Sequence, residues 1–329
     1  MNPKRTPACT RRRFFKTAGA ASTTTLFCLA SPASAEPAAE KSARGDQPAA
    51  RSRKVIDFHL HIKHLKRDLP ATIAHIEGLG CEKAVLLPIE DIASGLLLTT
   101  DEVLDARRQY PQRVIPFCQV DLRRDDFEKR IRAYANAGCR GYGEQKQQIP
   151  LNDPRIARML ETVSEFGWPC TFHFQDGPKG FNQGVEEHLE PLLKRFRRVK
   201  FAGHAQSWWS HISADVPPPE VSLYPKGPVK PGGLLDRLLA DYDNIYGDLS
   251  AGSGHNALAR DEEFATGFLR RHRKKLLFAS DCPCHDGRGA NFKSGCIGRQ
   301  TMGLLERIAD ANTLADIFYN NAARLLGLT

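Results

Sequence analysis

Short apolar runs alternate along the chain with segments that carry apolar residues at helical spacing. Eight of these runs are rich in β-branched and aromatic residues and predict β-strands: 55–59, 83–88, 113–120, 140–143, 169–174, 199–204, 244–249 and 275–280. A typical intervening segment is 155–166, where apolar residues recur every three or four positions and predict a helix. Strands that alternate with such helices predict βαβ units and a parallel sheet.

The number of these units favours one closed barrel. Eight βα units predict a (β/α)8 TIM barrel rather than an open doubly wound sheet. No Gly-x-Gly-x-x-Gly follows the first strand, which disfavours a dinucleotide-binding fold. Helix boundaries fit this scheme: Asp153-Pro154 predicts a helix start, and Gly80, Gly138 and Gly167 each follow a helical pattern as a C-terminal cap would.

Metal-binding side chains stand at the ends of several predicted strands. His59 and His61 are two residues apart, so in a strand both point to the same face. His173, His204 and Asp281 end or follow three later strands. Because the C-terminal strand ends of a barrel converge on one mouth, these five side chains predict a single divalent metal site. Imidazoles and a carboxylate suit zinc, iron or manganese.

The positive charge of the chain is concentrated at its start. The formal net charge is +9, from 47 basic and 38 acidic residues. Residues 1–35 hold six basic residues and no acidic one, so the remainder carries a net charge of only +3. No run of Lys and Arg is interleaved with aromatic residues, and we therefore expect no nucleic-acid binding.

The first 35 residues have the layout of an export signal. Arg11 and Arg12 are followed by one residue and then Phe-Phe-Lys, similar to a bacterial twin-arginine signal. A mildly apolar stretch over 17–30 precedes Ala33-Ser34-Ala35, a small-residue cleavage pattern. The apolar stretch is too short for a stable membrane span. The pattern predicts a partnership with the twin-arginine export machinery and a periplasmic or extracellular location.

Two further segments complete the predicted domain organisation. Residues 36–53 are rich in Ala, Ser, Arg and Pro without an apolar period, which predicts a disordered linker. Residues 54–329 are predicted to form the barrel domain. This length is close to the roughly 250 residues of a typical TIM barrel.

The motifs at the strand ends resemble those of a known superfamily. His59-Leu60-His61, His173, His204 and Ser280-Asp281-Cys282-Pro283 are similar to the amidohydrolase superfamily. Within it, the chain resembles the amidohydrolase-related (type 2) family, which includes aminocarboxymuconate semialdehyde decarboxylase. The resemblance covers residues 54–328 and includes a closing Asn-Ala-x-x-Leu-type helix near 320–326.

The resemblance implies a barrel, a metal and roles for individual residues. It implies that His59, His61 and His173 are metal ligands, and that Asp281 is both a ligand and the group that orients or deprotonates water. His204 is implied to be a further ligand or the general acid and base beside the metal. The implied cofactor is one divalent ion, zinc before iron or manganese, and homodimers are common in the family.

Three functions are consistent with these residues. The first is a hydrolase that attacks an ester, lactone or amide of a small molecule, since a divalent metal lowers the pKa of bound water to about 7. Asp281 would accept the proton, and His204 would assist proton transfer. The second is a non-oxidative decarboxylase of a carboxylated small molecule. The third is a metal-holding or ligand-binding barrel without turnover.

Four other residues are candidates for substrate binding. Glu144 and Lys146 follow the fourth predicted strand, where Glu144 can bridge a second metal, Lys146 can bind a substrate carboxylate, or the two can brace the rim as an ion pair. Trp208 lies in the long segment after the sixth strand, which is either a substrate lid or a packed loop. Asp248 ends the seventh strand, where it can hydrogen-bond the catalytic shell or the substrate, or belong to a purely structural turn. The basic loop residues at this face either bind an anionic substrate or belong to the solvated surface; they are Arg288, Lys293, Lys226 and Lys230.

Cysteines add one open question. Seven remain after residue 35, and four of them lie in or beside predicted strands, as buried apolar residues would. Cys284 and Cys296 flank the loop after the last strand and can form a disulfide in an oxidising compartment. A zinc site at Cys282-x-Cys284 is disfavoured, because no second pair has the usual spacing.

Overall fold

The computed structural model describes residues 53–177, 180–218 and 224–328. The predicted export signal of residues 1–35 and the linker up to residue 52 lie outside these ranges. No helix of the described ranges combines the length and the apolar character needed to cross a membrane.

All eight predicted strands form, most of them shorter than the apolar runs that predict them. The strands of the described chain are β1 (Ile56–Leu60), β2 (Lys83–Leu86), β3 (Ile89–Asp91), β4 (Leu96–Leu98), β5 (Val114–Pro116), β6 (Tyr142–Gln145), β7 (Pro169–His173), β8 (Lys200–His204), β9 (Ile245–Asp248) and β10 (Leu276–Leu277). Eight of them pair in parallel, and only β3 and β4 were not predicted. The parallel pairing agrees with the βαβ units expected from the sequence.

The parallel strands form two ladders that meet at two seams. One ladder has the order β1-β2-β5 and the other β10-β9-β8-β7-β6. At the first seam, Phe58 N–H donates to the Phe278 carbonyl at 3.0 Å. At the second, Cys118 pairs in parallel with Tyr142. The order of strands and the intervening helices confirm the predicted (β/α)8 TIM-barrel class.

The helices follow the strands as predicted. They are α1 (Leu69–Leu79), α2 (Thr100–Gln109), α3 (Phe127–Asn136), α4 (Pro154–Phe166), α5 (Val185–Arg195), α6 (Gln206–Ser210), α7 (Leu234–Asp241), α8 (Ala251–Ala259), α9 (Glu262–His272), α10 (Ile297–Ile308), α11 (Ala311–Ala315) and α12 (Asn321–Leu325). Asp153 caps α4 by accepting from Arg155 N–H, and Gly80 and Gly167 end α1 and α4 with φ of 82° and 63°. The backbone signals in the sequence therefore mark real helix ends.

The unpredicted pair β3 and β4 forms an antiparallel hairpin beside the C-terminal mouth. Ile89 faces Leu98 across this hairpin. Leu96 and Leu97 are 41% and 58% exposed, although large apolar side chains are usually buried. Ile89–Asp91 contains a single apolar residue, and Leu96–Leu98 is a three-residue apolar run without alternation. Neither segment carries a strand signal, which explains why the sequence pattern did not reveal the hairpin.

A layer of buried apolar side chains lies below the candidate site, on the strand faces that also carry the site residues. Ala202 precedes His204 by two positions, and Tyr246 precedes Asp248 by two, so each pair shares one face of its strand. Ala202 and Tyr246 belong to a buried cluster that also contains Phe58, Phe117 and residues of α12. Rigid packing below the strand ends fixes the polar side chains above it.

Candidate metal centre

The histidines at the strand ends come together as the sequence predicted. His59 and His61 place their Nε2 atoms 3.1 Å apart. His173 and His204 are direct neighbours in the register between β7 and β8, and their ring centroids lie 5.2 Å apart. All four rings are buried, with exposures of 6% or less. Strand pairing therefore assembles four imidazoles at the barrel mouth.

Glu144 lies at the centre of this group. Its Oε2 is 3.2 Å from His61 Nε2 and 3.8 Å from His59 Nε2. Its Oε1 is 2.6 Å from His173 Nδ1 and 3.7 Å from His204 Nε2. One carboxylate thus faces two histidine pairs. This arrangement allows Glu144 to act as a metal ligand.

Asp281 closes the site from the loop after β10. Its Oδ1 lies 3.6 Å from His61 Nε2, and its Oδ2 lies 3.7 Å from His204 Nε2. The Asp281 backbone adopts a φ of 41°, in the left-handed region that non-glycine residues seldom occupy. Its N–H donates to the His59 carbonyl at 2.8 Å. That bond joins the loop to β1 and directs the carboxylate toward the histidines.

Three of the four rings are held from behind. His59 Nδ1 donates to Asp248 Oδ2 at 2.7 Å, and His61 Nδ1 donates to the Leu87 carbonyl at 2.7 Å. His204 Nδ1 lies 2.8 Å from Ser250 Oγ. Such partners fix the ring orientation and leave Nε2 free to face the site. The rear contacts therefore present three Nε2 atoms to a common point.

Charge balance sets the protonation of the buried groups. Burial opposes a charged His59, but the Asp248 and Asp281 carboxylates outweigh it and raise the pKa of His59. Burial also opposes ionisation of Glu144, yet Lys146 and His173 hold the pKa of Glu144 well below its usual range. Burial and the neighbouring His59 lower the pKa of His204. The site contains ionised carboxylates and a neutral His204.

The donor set fits a divalent metal. Glu144 Oε2 is buried and has no hydrogen-bond partner among the described residues, although it faces His59 and His61. An orphaned, ionised carboxylate oxygen in this position is costly unless a cation satisfies it. The candidate ligands form three groups that share members. Two of the groups contain Glu144, one with His59 and His61 and one with His173 and His204, and the third consists of His59, His204 and Asp281. Nitrogen and oxygen donors of this kind are zinc, manganese or iron ligands.

A cleft of about 390 Å³ opens above the site. His61, His64, Lys146 and Asp281 supply its polar wall. The apolar wall comes from the hairpin and from the turn after β1, through Leu65, Ile89 and Leu96 to Leu98. A cleft of this size and lining suits a small molecule that has one apolar part and one polar or anionic part.

The four predicted substrate-binding residues have different locations. Lys146 lines the cleft, and its Nζ is 3.8 Å from Glu144 Oε2. Glu144 itself lies among the metal-ligand candidates, and Asp248 lies behind His59 instead of facing the cleft. The Asp248 contact corresponds to the alternative in which this residue hydrogen-bonds the catalytic shell, and the Glu144–Lys146 distance is that of an ion pair.

Trp208 is a correction to the sequence-based expectation. Its side chain is fully buried, and its ring covers Gly203, where an added Cβ would lie 2.4 Å from the indole. Gly203 lies between Ala202 and His204, so its free face points away from the site. Phe174 packs against the same indole. The bulky, apolar ring is used as core, which rules out a substrate lid at this residue.

Two residues of the site were missed by sequence reasoning. His64 lies in the turn after β1, with its Nδ1 3.6 Å from Asp281 Oδ1, and burial lowers its pKa to about 4. The sequence signal that could have identified His64 is its position three residues after His61 of the His-x-His motif. Arg67 is fully buried and donates to the carbonyls of His61, Cys282 and Cys284. Nothing in the local pattern distinguishes Arg67 from a surface arginine.

Solved structures resemble this chain in fold at low sequence identity. An uncharacterised TIM-barrel protein from Bordetella bronchiseptica has a TM-score of 0.59 and 14% identity, covering 83% of this chain and 98% of that chain. A probable 2-pyrone-4,6-dicarboxylic acid hydrolase from Acinetobacter baumannii, with citric acid bound, has a TM-score of 0.55 and 17% identity, covering 83% and 99%.

A third similar structure contains a metal. It is a 5-carboxyvanillate decarboxylase from Novosphingobium aromaticivorans complexed with manganese and 4-hydroxy-3-methoxy-5-nitrobenzoic acid. Its TM-score is 0.54 at 14% identity, covering 84% of this chain and 96% of that chain. A scan against protein-family models and a search of curated proteins gave no match. The similarity to these structures establishes the TIM-barrel fold.

Proposed function

We propose that this protein is a metal-dependent hydrolase of the amidohydrolase superfamily that acts on an ester, lactone or amide of a small molecule. The observation that carries the proposal is the convergence of four buried histidines and Asp281 around the orphaned Glu144 carboxylate, beneath an open cleft. If stability of the fold were its only purpose, a hydrophobic core would serve better than a buried cluster of this composition.

His59, His61, His173 and Asp281 are the proposed ligands of one divalent ion, zinc before iron or manganese, and Glu144 joins them. A divalent ion at this position supplies a Lewis acid and lowers the pKa of water. Metal ligation also explains why several imidazoles are buried beside two carboxylates.

The chain's own residues supply the proton chemistry. Asp281 lies at the base of the cleft with an ionised carboxylate, so it can hold a proton taken from the attacking water. His204 Nε2 is 3.7 Å from Asp281 Oδ2 and is neutral, so it can accept that proton and pass it to the leaving atom. Lys146 lines the cleft together with Lys63, and it is the residue proposed to orient an anionic substrate.

Decarboxylation of a carboxylated small molecule is the second candidate. Its support is the cleft, which is lined both by Lys146 and by apolar side chains that include Leu97 and would fit an aromatic carboxylate. The similar structures include both a hydrolase and a decarboxylase that are described with carboxylated ligands. The same Asp281 and His204 would then transfer a proton to carbon.

A product assay separates the two candidates. The metal-loaded protein is screened against lactones, esters, amides and carboxylated aromatics, with carbon dioxide release and base uptake followed in parallel. Proton release from an ester or lactone, or free amine from an amide, without carbon dioxide supports hydrolysis. Carbon dioxide release supports decarboxylation.

Asp281→Asn and His204→Gln are each expected to lower turnover by about 10²- to 10⁴-fold. The control is Asp241→Asn, at a 54% exposed carboxylate on α7. Unchanged turnover in Asp281→Asn contradicts the proposal.

The cellular setting is part of the proposal. The twin-arginine pattern in residues 1–35 supports export of the folded protein to the periplasm or the medium. Export after folding would allow the metal to be loaded in the cytoplasm. A homodimer is the proposed assembly, to be tested by light scattering of the purified protein.

A further inference from the structure

A second group of metal-binding side chains lies beside the candidate site. His75 of α1, Cys282 and Cys284 of the loop after β10, and Cys296 at the start of α10 form what is here named the Cys3His cluster. Their ligand atoms all lie within 4.8 Å of one another. Each of the four residues is at most 5% exposed. None of them belongs to the groups that surround Glu144.

The spacing within the cluster is that of a tetrahedral metal site. Cys282 Sγ and Cys296 Sγ are 3.7 Å apart, and Cys284 Sγ is 3.3 Å from His75 Nδ1. Zinc bonds of about 2.3 Å to sulfur and about 2.0 Å to nitrogen place tetrahedral neighbours about 3.5–3.8 Å apart. A disulfide requires sulfur atoms at about 2.05 Å. The observed distances are close to a shared ion and far from a disulfide.

Arg67 provides an independent observation. Its guanidinium is fully buried and donates to the carbonyls of Cys282 and Cys284 at 2.7 and 2.9 Å. Among the described residues, no carboxylate lies within ion-pair distance of it. An unpaired buried cation is costly. Three thiolates around one divalent ion carry a net charge of −1, which would add to the Asp57 and Asp281 carboxylates in stabilising the Arg67 guanidinium.

His75 Nδ1 lies 3.3 Å from Cys284 Sγ and 3.0 Å from the Cys284 carbonyl oxygen, and the second ring nitrogen has a polar partner of its own. Its Nε2 is 3.4 Å from Ser280 Oγ, and Ser280 Oγ donates to Asp57 Oδ2 at 2.5 Å. Metal-bound histidines characteristically use the second ring nitrogen in such a polar chain. This chain of contacts holds the His75 ring beside the three thiols.

We propose that the Cys3His cluster binds one zinc ion and that this ion is structural. All four positions are protein atoms, which leaves none for substrate. On binding, Cys282, Cys284 and Cys296 each lose a proton to solvent and His75 binds as neutral imidazole. Cys282 directly follows Asp281, so the ion fixes the loop that carries this acid into the candidate site.

Metal content in matched variants tests the assignment. Zinc per chain is measured by elemental analysis in the wild type, Cys284→Ser, the double variant His59→Ala/His61→Ala, and the control Cys170→Ser. Cys170 is a buried cysteine of β7 outside the cluster. We expect Cys284→Ser to lose one equivalent of zinc, and the double variant to retain that equivalent. The control should match the wild type. The design also separates this ion from the one proposed near Glu144.

A spectroscopic measurement on the wild type avoids dependence on variant folding. Cobalt replaces zinc in the intact protein, and thiolate ligation then gives an intense sulfur-to-metal charge-transfer band in the near ultraviolet that histidine and carboxylate ligands do not give. We expect this band in the wild type, in the double histidine variant and in Cys170→Ser, and its loss in Cys284→Ser.

Three outcomes overturn the proposal. The first is that Cys284→Ser has the same zinc content and the same cobalt spectrum as the wild type. The second is a wild-type mass lower by two hydrogens with a matching loss of free thiols, which identifies a disulfide. The third is iron with acid-labile sulfide in place of zinc, which identifies an iron–sulfur cluster. Failure of the proposed hydrolase activity has no bearing on these readings.

Discussion

At the residue scale, the candidate site depends on side chains that never touch the cleft. The His59, His61 and His204 rings are each oriented by a buried partner: Asp248, the Leu87 carbonyl and Ser250. An imidazole ring that rotates freely no longer points its Nε2 atom at the metal position. The affinity of the site for a cation therefore depends on these contacts behind the rings. Asp248 is the one charged group among the three.

Replacing Asp248 by asparagine tests this dependence. The amide keeps the shape but removes the charge that stabilises the His59 Nδ1–H bond at 2.7 Å. We expect metal affinity or turnover to fall by about 10- to 100-fold. The measurement is competition with a chromogenic chelator, with Asp241→Asn as the exposed control. Equal affinity in wild type and Asp248→Asn would show that His59 does not depend on this partner.

At the element scale, the β3–β4 hairpin shapes the cleft. Leu96 and Leu97 lie on it and remain exposed, while Leu98 is buried. Exposed leucines contribute little to the stability of the core. Beside a polar site, they are better suited to contact the apolar part of a ligand. The hairpin is thus the element most suited to set substrate preference.

A polar substitution on the hairpin follows from this placement. Leu97→Ser is expected to raise KM for an apolar substrate while kcat changes little, because only uniform binding is lost. The free energy of unfolding should change by less than about 0.5 kcal/mol, since Leu97 is 58% exposed. Steady-state kinetics and urea unfolding check both points. Leu328→Ser, at a 40% exposed leucine near the C-terminus, is the control. A fall in kcat with unchanged KM contradicts this role.

A second element holds the last strand in place. Asp316 begins the turn of π-helix Asp316–Asn320, and its carboxylate accepts from Arg273 at 2.6 Å and Lys274 at 3.0 Å. Within the same turn, the Ile317 carbonyl accepts from Phe278 N–H at 2.9 Å. The turn therefore braces the segment that leads to Asp281.

Asp316→Asn is expected to lower the free energy of unfolding by about 1.5–3 kcal/mol at neutral pH, because charged hydrogen bonds to a buried carboxylate are lost. Burial opposes ionisation, but Asn320 and Lys274 outweigh it and lower the pKa of Asp316. A lowered pKa stabilises the fold above the unfolded value of about 3.9, and that stabilisation disappears as pH falls through the folded value.

The measurement is urea unfolding of wild type and Asp316→Asn at a series of pH values. The difference between them should be largest near neutrality and shrink in acid. Asp243→Asn is the control, because its side chain is fully exposed. A difference that stays constant down to the most acidic pH contradicts the assignment to the Asp316 charge.

The sequence predicted features that follow a local period, and it missed those made by distant segments. His59 and His61 could be placed because side chains two apart share a strand face. The central position of Glu144 depends on the register of β6, which no pattern encodes. Cys284 and His75 are 209 positions apart, so the Cys3His cluster could not be found from spacing. Trp208 was misplaced because an aromatic residue in a long loop has the same signature whether it is core or lid.

At the scale of the whole molecule, the barrel brings two clusters of metal-binding residues onto one loop. Asp281 belongs to the first cluster and Cys282 to the second. Arg67 joins both by donating to the carbonyls of His61 and Cys282. Buried imidazoles and thiols must be deprotonated to bind a cation, which happens as the chain folds around it. A chain of this kind is best folded and loaded with metal in one compartment.

That requirement connects the barrel to the first 35 residues. The twin-arginine pattern predicts cleavage after Ala35, and the Ala33-Ser34-Ala35 motif sets the position. Expressed in a bacterium with that export pathway, the mature protein should begin at Glu36, as measured by intact mass of the periplasmic fraction. Replacing Arg11 and Arg12 by lysine should keep the full-length chain in the cytoplasm, whereas the same change at Arg51 and Arg53 should not. A mature N-terminus elsewhere would contradict cleavage after Ala35, and export of the Arg11/Arg12 variant would show that this segment is not a twin-arginine signal.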